Sequence, residues 1–351
     1  MVYLGRSRLH RSRANLIQTL HTIAALQEHG PRVRLYLPPW PRRLNVERVL
    51  QDMGVDGVLD LRRSMSLHPR FRFHPFVWLH RRRLRRATTL YTRVPQISLA
   101  LAAAGLVNHL EVHDTRKLVD EGLLPRLVRH HRAGRVGMLF PISRSAADTL
   151  IEAGAVADRV CVLPSGVDLG AYADVTPFDG SQLDEPRIVY LGRLSEMRGL
   201  KVLEAISQRV RAHLTLVGDQ DDEVAAIPGI QVHPFVPPRQ VPDWYAKCDL
   251  VLLPYQPGLE HIESISPLKL FEAMAAGRPI LISDLPPMRE VIEHEKTGLL
   301  IDPCDVDAWV DAVERLRRDR ALACRLAQAA KEQAVRYGWS ARAATILRTI
   351  R

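Results

Sequence analysis

The stretch Ser266-Pro267-Leu268-Lys269-Leu270-Phe271-Glu272-Ala273-Met274-Ala275-Ala276-Gly277-Arg278-Pro279 constrains the fold of this chain more than any other. Ser266 suits an N-cap and Pro267 a first helical position, and Gly277 with Pro279 stops the helix after about three turns. β-rich runs flank it at 250–255 and 279–283. Strand, loop, capped helix and strand, in that order, predict an α/β unit whose helix N-terminus opens at the carboxyl edge of a sheet. The free amides of Leu268 and Lys269 and the positive end of the helix dipole converge there, so phosphate is the natural guest. Glu272, one to two turns into the helix, is placed to reach the hydroxyls of a nucleoside sugar. On local features alone, an ordinary capped helix with a solvated Glu fits equally well.

The same alternation runs along the chain. Strand- and helix-like segments follow one another at 2–5, 14–29, 32–37, 42–53, 57–61, 75–86, 88–92, 95–104, 108–112, 136–141 and 144–153. A second series opens at 187–191, after a linker at 170–186 rich in Gly, Pro, Asp and Ser. Strands separated by helix-length segments imply mostly parallel sheets covered on both faces. With 351 residues, 46% of them apolar, the chain has material for two cores.

Composition narrows the setting. Cys161, Cys248, Cys304 and Cys324 are scattered without metal or redox spacing and read as reduced, which points to the cytoplasm. Residues 1–10 lack a signal-peptide core, and the longest apolar run, 97–107, is too short to span a bilayer. Residues 1–175 hold 27 Lys and Arg against 14 Asp and Glu, a balance of +13; residues 176–351 hold 22 against 25, a balance of −3. The first half therefore meets an anionic partner or surface.

Three places in that half are candidate sites. The loop Arg6-Ser7-Arg8-Leu9-His10-Arg11-Ser12-Arg13 follows a first strand, so Arg6, Arg8 and Arg11 are either acceptor contacts or a solvated loop. Glu111-Val112-His113-Asp114 ends another strand, with Asp114 or Thr115 capping the next helix, and a lone His in that place is more often structural than functional. Phe71, Phe73, Phe76 and Trp78 run into the basic cluster 81–86, which suits an anionic membrane surface or acidic glycolipid and equally a solvated helix face. No nucleic-acid motif accompanies it, and no nucleic-acid partner is expected.

Residues 266–279 resemble the donor-site helix of the GT-B glycosyltransferases, in the large retaining group called family four. In that family the helix carries the second of two glutamates eight positions apart, which binds the ribose, and the backbone at the helix start binds the diphosphate. Glu272 matches the second glutamate. The first falls on Ser264, with Glu263 one residue out of register, so the resemblance carries over the nucleotide contacts and not the usual contact to the donor sugar. Gly192-Arg193-Leu194-Ser195-Glu196-Met197-Arg198-Gly199 resembles the family's Gly-Arg-Leu-x-x-x-Lys-Gly, whose Arg and Lys grip the diphosphate. Arg198 stands in the Lys position and keeps the charge on a planar guanidinium. Leu163-Pro164-Ser165-Gly166-Val167-Asp168 resembles the Pro-Asn-Gly-Val-Asp turn that opens the donor domain, and 231–236 the strand whose end, at Val236, binds the base through its backbone. Similar enzymes carry a His in the Glu-x-His-Asp turn beside the reacting carbon, which makes His113 the leading catalytic candidate.

The resemblance covers most of 88–340 strongly and the rest weakly. It implies an α/β fold of two Rossmann-like domains facing across a cleft: an acceptor-side domain at 1–170, on which a closing helix at 339–351 packs back, and a donor domain at 171–338. It implies a metal-independent, retaining transfer from a UDP- or GDP-linked sugar to a hydroxyl acceptor, glycan or lipid-linked, in bacterial-type cell-surface polysaccharide or glycolipid synthesis. The enzyme is then cytoplasmic or peripheral at the inner membrane face, with no cofactor. His113, Arg193 and Arg198 are the catalytic candidates; Gly192, Val236, Ser266, Leu268, Lys269 and Glu272 join the two arginines in donor binding. Asp219-Gln220-Asp221-Asp222 and Asp305-Val306-Asp307 read as a turn and a helix cap, not metal sites. A non-catalytic nucleotide-binding subunit and a nucleotide-sugar epimerase of the same fold are the alternatives.

Overall fold

Parallel strands covered on both faces need runs that are apolar throughout rather than alternating, and Leu250–Leu253 and Ile280–Ser283 are buried at every position. In the computed structural model, which describes residues 1–350 except Ser12, 69–70, 72 and 220–227, such runs build two sheets. The chain divides into two units: Met1–Ser165 joined by the residues from Trp339 on, and Gly166–Gly338.

The first unit holds β1 (Val2–Leu4), β2 (Arg34–Leu37), β3 (Asp60–Arg63), β4 (Leu90–Thr92), β5 (Asn108–Val112) and β6 (Val136–Pro141) in the order β3-β2-β1-β4-β5-β6. The second holds β7 (Arg187–Leu191), β8 (His213–Val217), β9 (Ile230–His233), β10 (Leu250–Leu253), β11 (Ile280–Ser283) and β12 (Leu299–Ile301) in the order β12-β11-β10-β7-β8-β9. Every strand pairing is parallel. Both sheets are doubly wound, and each reverses its strand order once, at β1/β4 and at β7/β10. In such sheets ligands bind beyond the carboxyl ends of the strands at that reversal, so the loops after β1, β4, β7 and β10 are where each unit offers a site.

Three local expectations are corrected. The donor helix spans Leu268–Ala275, eight residues, and Pro267 rather than Ser266 holds the cap position with φ −74° and ψ 127°. A proline disfavours helical backbone in the residue before it. Here Pro267 is itself extended, so helical geometry first appears at Leu268. The unit boundary falls after Ser165, not 170, because the Val167 amide donates to the Tyr337 carbonyl at 2.9 Å and ties the turn to the second unit. Val236 lies past the end of β9 rather than at it, packed against that unit's core.

The closing helix Trp339–Thr349 packs on the helix Ala14–Glu28 within the first unit. Trp339 stacks on His21 with ring centroids 5.5 Å apart, and Ser340 accepts from His29 Nε2 at 3.0 Å. Among the described residues no helix is long and apolar enough to cross a membrane.

Candidate functional site

In the second unit the site is assembled at the β7/β10 reversal. Gly192, one residue beyond β7, adopts φ 131°, a conformation that favours glycine, and its α-carbon lies against Lys269, where a Cβ would stand 2.6 Å from Nζ. Gly199 (φ 84°) packs its α-carbon on the end of β10, where a Cβ would meet the Pro254 carbonyl at 2.2 Å. This contact seats the turn Glu196–Arg198 beside Tyr255.

Around these glycines the charged groups converge. Lys269 Nζ donates to the Tyr190 hydroxyl at 3.0 Å and lies 4.1 Å from that ring's centroid and 5.6 Å from that of Tyr255. The Tyr190 hydroxyl donates in turn to the Arg193 carbonyl at 3.0 Å, and the Arg198 guanidinium donates to Ser195 Oγ at 3.0 Å. Burial lowers the Lys269 amine to about 7, with Arg198 adding to the effect, and burial raises the Glu272 carboxyl to about 7 against the pull of Lys269. An ammonium and a carboxyl both poised near neutrality, at the first turns of one helix, take up or release protons in response to an incoming anion.

The structure thus brings together Gly192, Arg193, Arg198, Lys269 and Glu272, with Leu268 opening the helix. Ser266 sits just outside it, and Val236 belongs to the core packing. Ser264, which stands in the place of the first family glutamate, is buried, and Glu263 beside it is exposed. Tyr190 and Tyr255, which hold Lys269, were not singled out by sequence reasoning. Their only signal was an aromatic ring in or just past an apolar strand.

In the first unit a pocket of about 570 Å³ lies at the β1/β4 reversal. Arg6, Arg8, Arg11 and Arg13 from the loop after β1, Arg93 from the loop after β4, and His113, Asp114 and Lys117 beyond β5 line it. Asp114 caps the helix Thr115–Asp120 by accepting from the Lys117 amide at 2.8 Å, and Lys117 pairs with Glu121 at 3.7 Å. The two carboxylates are thereby engaged, and the pocket keeps a large positive excess.

Beneath it lies a buried network. His113 Nε2 meets Glu111 Oε2 at 2.9 Å, the Tyr91 hydroxyl donates to Glu111 Oε1 at 2.9 Å, and Arg342 Nη2 donates to Glu111 Oε2 at 2.9 Å. Arg342 also donates to the Thr22 hydroxyl and the Pro164 carbonyl, each at 2.9 Å. Burial alone would raise the Glu111 carboxyl; Arg342, His113 and Arg93 outweigh it and hold the group well below the usual carboxylate range. Burial, with Arg93 alongside, lowers His113 to about 4 despite Glu111.

No metal grouping of three or more His, Cys, Asp or Glu side chains occurs among the described residues. From Gln220 on, the acidic stretch at 219–222 lies outside them. Asp305 caps the helix Val306–Arg318 by accepting from the Ala308 amide at 2.9 Å.

Comparison with known proteins places these features. Residues 185–319 match the family model described as "Glycosyl transferases group 1". A D-inositol 3-phosphate glycosyltransferase of Xylanimonas cellulosilytica is 30% identical over 238 residues, 60% of this chain and 55% of that protein. A phosphatidyl-myo-inositol mannosyltransferase of Mycolicibacterium smegmatis is 30% identical over 198 residues, 53% of this chain and 50% of that protein. The chain thus spans about half the length of these relatives. In three dimensions it is similar to the HepE protein of Anabaena in complex with UDP (TM-score 0.77, 18% identity, 99% of this chain and 98% of that one). It is also similar to sucrose-phosphate synthase from Thermosynechococcus elongatus (TM-score 0.76, 16% identity, 100% and 98%). The chain has the GT-B fold, and its residues 185–319 match the glycosyl transferases group 1.

Proposed function

We propose that this protein is a retaining glycosyltransferase that moves a sugar from a UDP- or GDP-linked donor to a hydroxyl on an anionic acceptor, without a metal ion. The observation that carries the reading is the convergence of Arg198, Lys269 and Glu272 at the helix Leu268–Ala275, with the Arg193 backbone carbonyl 3.0 Å from the Tyr190 hydroxyl that holds Lys269. Two guanidiniums, an ammonium and the amides of the first turn neutralise a diphosphate as charge develops on it, and Glu272 accepts from the ribose hydroxyls. The bond between the anomeric carbon and the diphosphate oxygen breaks as the acceptor oxygen attacks from the same face. The acceptor proton passes to the departing phosphate. His113 serves turnover rather than donor affinity. The acceptor enters the pocket at the β1/β4 reversal, where Arg6, Arg8 and Arg11 meet its negative charge. The relatives' names, an inositol 3-phosphate glycosyltransferase and a phosphatidyl-myo-inositol mannosyltransferase, support a phosphorylated or lipid-linked acceptor.

The test is a panel of nucleotide sugars incubated with the protein and followed for nucleoside diphosphate release, with and without chelator. Release from a UDP- or GDP-sugar that survives the chelator, giving a product with the donor's anomeric configuration, supports the reading; inversion or strict metal dependence sinks it. A second reading, a nucleotide-binding subunit without turnover, is favoured by buried Ser264 in the place of the first glutamate. Binding without release from any donor would decide for it.

A further inference from the structure

We infer that Arg342 and Glu111 are positioning residues for His113: the guanidinium locks the buried carboxylate, and the carboxylate fixes the imidazole as the Nε2–H tautomer. The inference deepens the reading of His113 as a turnover residue and rests on it. The geometry is that of a relay. Glu111 is 1% exposed and Arg342 4% exposed, so neither exchanges partners with water. Arg342 spends Nη2 on Glu111 Oε2, Nη1 on the Thr22 hydroxyl and Nε on the Pro164 carbonyl, which leaves its plane a single orientation. Glu111 accepts from Arg342 and Tyr91, and its Oε2 lies 2.9 Å from His113 Nε2.

An ionised carboxylate only accepts. A neutral imidazole facing it must therefore donate from Nε2, and the lone pair falls to Nδ1. The charged and titratable groups packed around the ring favour that neutral form. Arg93 beyond β4 and Arg342 on the closing helix repel a second cation, Glu111 attracts one, and Tyr91 and Tyr3 stay protonated in their burial. On the pocket side the loop arginines add repulsion, and Asp114 is held as a helix cap. An arginine 231 residues away in sequence thus sets which ring nitrogen of His113 accepts hydrogen bonds.

The experiment is ring-nitrogen NMR on the full chain labelled with 15N-histidine, with the His113 signals assigned by their loss in His113→Gln. Wild-type protein should show a protonated Nε2 and an acceptor-type Nδ1 from pH 5 to 8. Glu111→Gln removes the charge at nearly constant shape and should give a mixture of tautomers. Arg342→Lys keeps a charge but loses the planar fork that reaches Glu111, Thr22 and Pro164 at once, and should raise the pH at which His113 takes up its second proton. Both variants should lower kcat by ~10-fold or more while nucleoside diphosphate affinity stays unchanged. A wild-type Nδ1–H tautomer, or ring signals and titration identical to wild type in folded Glu111→Gln, overturns the inference. A purely structural pair would shift unfolding temperature and leave the ring untouched. If the ring responds as stated but His113→Ala turns over normally, it is the role of His113 in the reaction that falls, separately from the tautomer.

Discussion

Lys269 Nζ donates to the Tyr190 hydroxyl at 3.0 Å from a position held open by the missing side chain of Gly192. The ammonium is confined between two aromatic rings, half-buried, and its nearest carboxyl partner, Glu272, sits one turn further along the same helix. Burial brings both groups to about 7 from opposite sides. With the folded-state carboxyl raised, stability from Glu272 is fully present below the unfolded value and is lost as pH rises from about 4.5 to 7. With the folded-state amine lowered, the unfolded chain binds the extra proton between about 7 and 10.5, so Lys269 makes stability rise with pH over that range. Unfolding of the ligand-free protein should therefore be easiest near neutrality. Denaturant titrations across pH should show Glu272→Gln flattening the acid-side slope and Lys269→Met the alkaline-side slope. Unchanged slopes in both variants would remove the pair from the account.

Arg193 and Arg198 are expected to contact the donor diphosphate. Replacing either by Ala should weaken nucleoside diphosphate binding by about 2–3 kcal/mol, the size of a charge-assisted contact. Calorimetry would read the loss directly, and equal affinity in both variants would remove the assignment.

Much of this second-unit site was legible because it follows local rules. An apolar run, a Gly-x-x-x-x-x-x-Gly loop and a short helix with Gly and Pro behind it announce themselves within a few residues. The start of the helix Leu268–Ala275 was misplaced by one residue because Ser266 is a good cap and Pro267 a good first helical residue by type, whereas Pro267 is extended (ψ 127°) and takes the cap position itself. The setting of Lys269 was not legible, since Tyr190 reads as one more core aromatic of β7 until β7 and β10 lie side by side. In the first unit His113 and Asp114 could be picked out at the end of a strand. The partner that matters to Glu111 could not, because 231 residues separate it from Arg342 and no periodicity links them.

His113 should be a residue of turnover. His113→Ala should lower kcat with little change in nucleoside diphosphate affinity. With the imidazole lowered to about 4, it stays neutral through the physiological range, so wild-type turnover should show no inflection of a free histidine near pH 6–7 that disappears in the variant. Normal kcat in the Ala variant would make His113 a structural residue.

The Arg342–Glu111 pair should matter to folding as well. Removing one partner of a buried ion pair leaves an uncompensated charge and costs about 3–5 kcal/mol. Arg342→Met should therefore lower the melting temperature by roughly 6–20 °C for a unit of this size. Glu111→Gln combined with Arg342→Met, which removes both charges of the pair, should recover part of the loss. A double variant no more stable than Arg342→Met would mean that the pair is not energetically coupled.

The last prediction concerns the helix His74–Arg85. Its inner side buries Phe76, Val77 and Leu84, while Trp78, Arg81, Arg82 and Arg85 follow the i, i+3, i+4, i+7 spacing of one outer stripe, and all four are exposed. Trp78 is 76% exposed and Leu79 61%, with Phe71 nearby in sequence at 51%. An indole above a row of guanidiniums suits a headgroup region in which the ring enters the interface and each Arg contributes about 1 kcal/mol against anionic lipid. Arg83 is engaged elsewhere, donating to the Tyr36 hydroxyl at 2.9 Å, so it belongs to the fold rather than to the stripe. Binding of this kind should fade with salt, because exposed charges are screened beyond about 8–10 Å at physiological ionic strength. Vesicle co-sedimentation with neutral and anionic lipid, at low and high salt, tests it, repeated with Arg81, Arg82, Arg85 and Arg86 changed to Ser. Anionic vesicles should pull down the wild type at low salt and release both the high-salt sample and the variant. Equal sedimentation with both lipids, or an undiminished signal in the variant, would leave the stripe as a solvated helix face and point to an acceptor that reaches the pocket from solution.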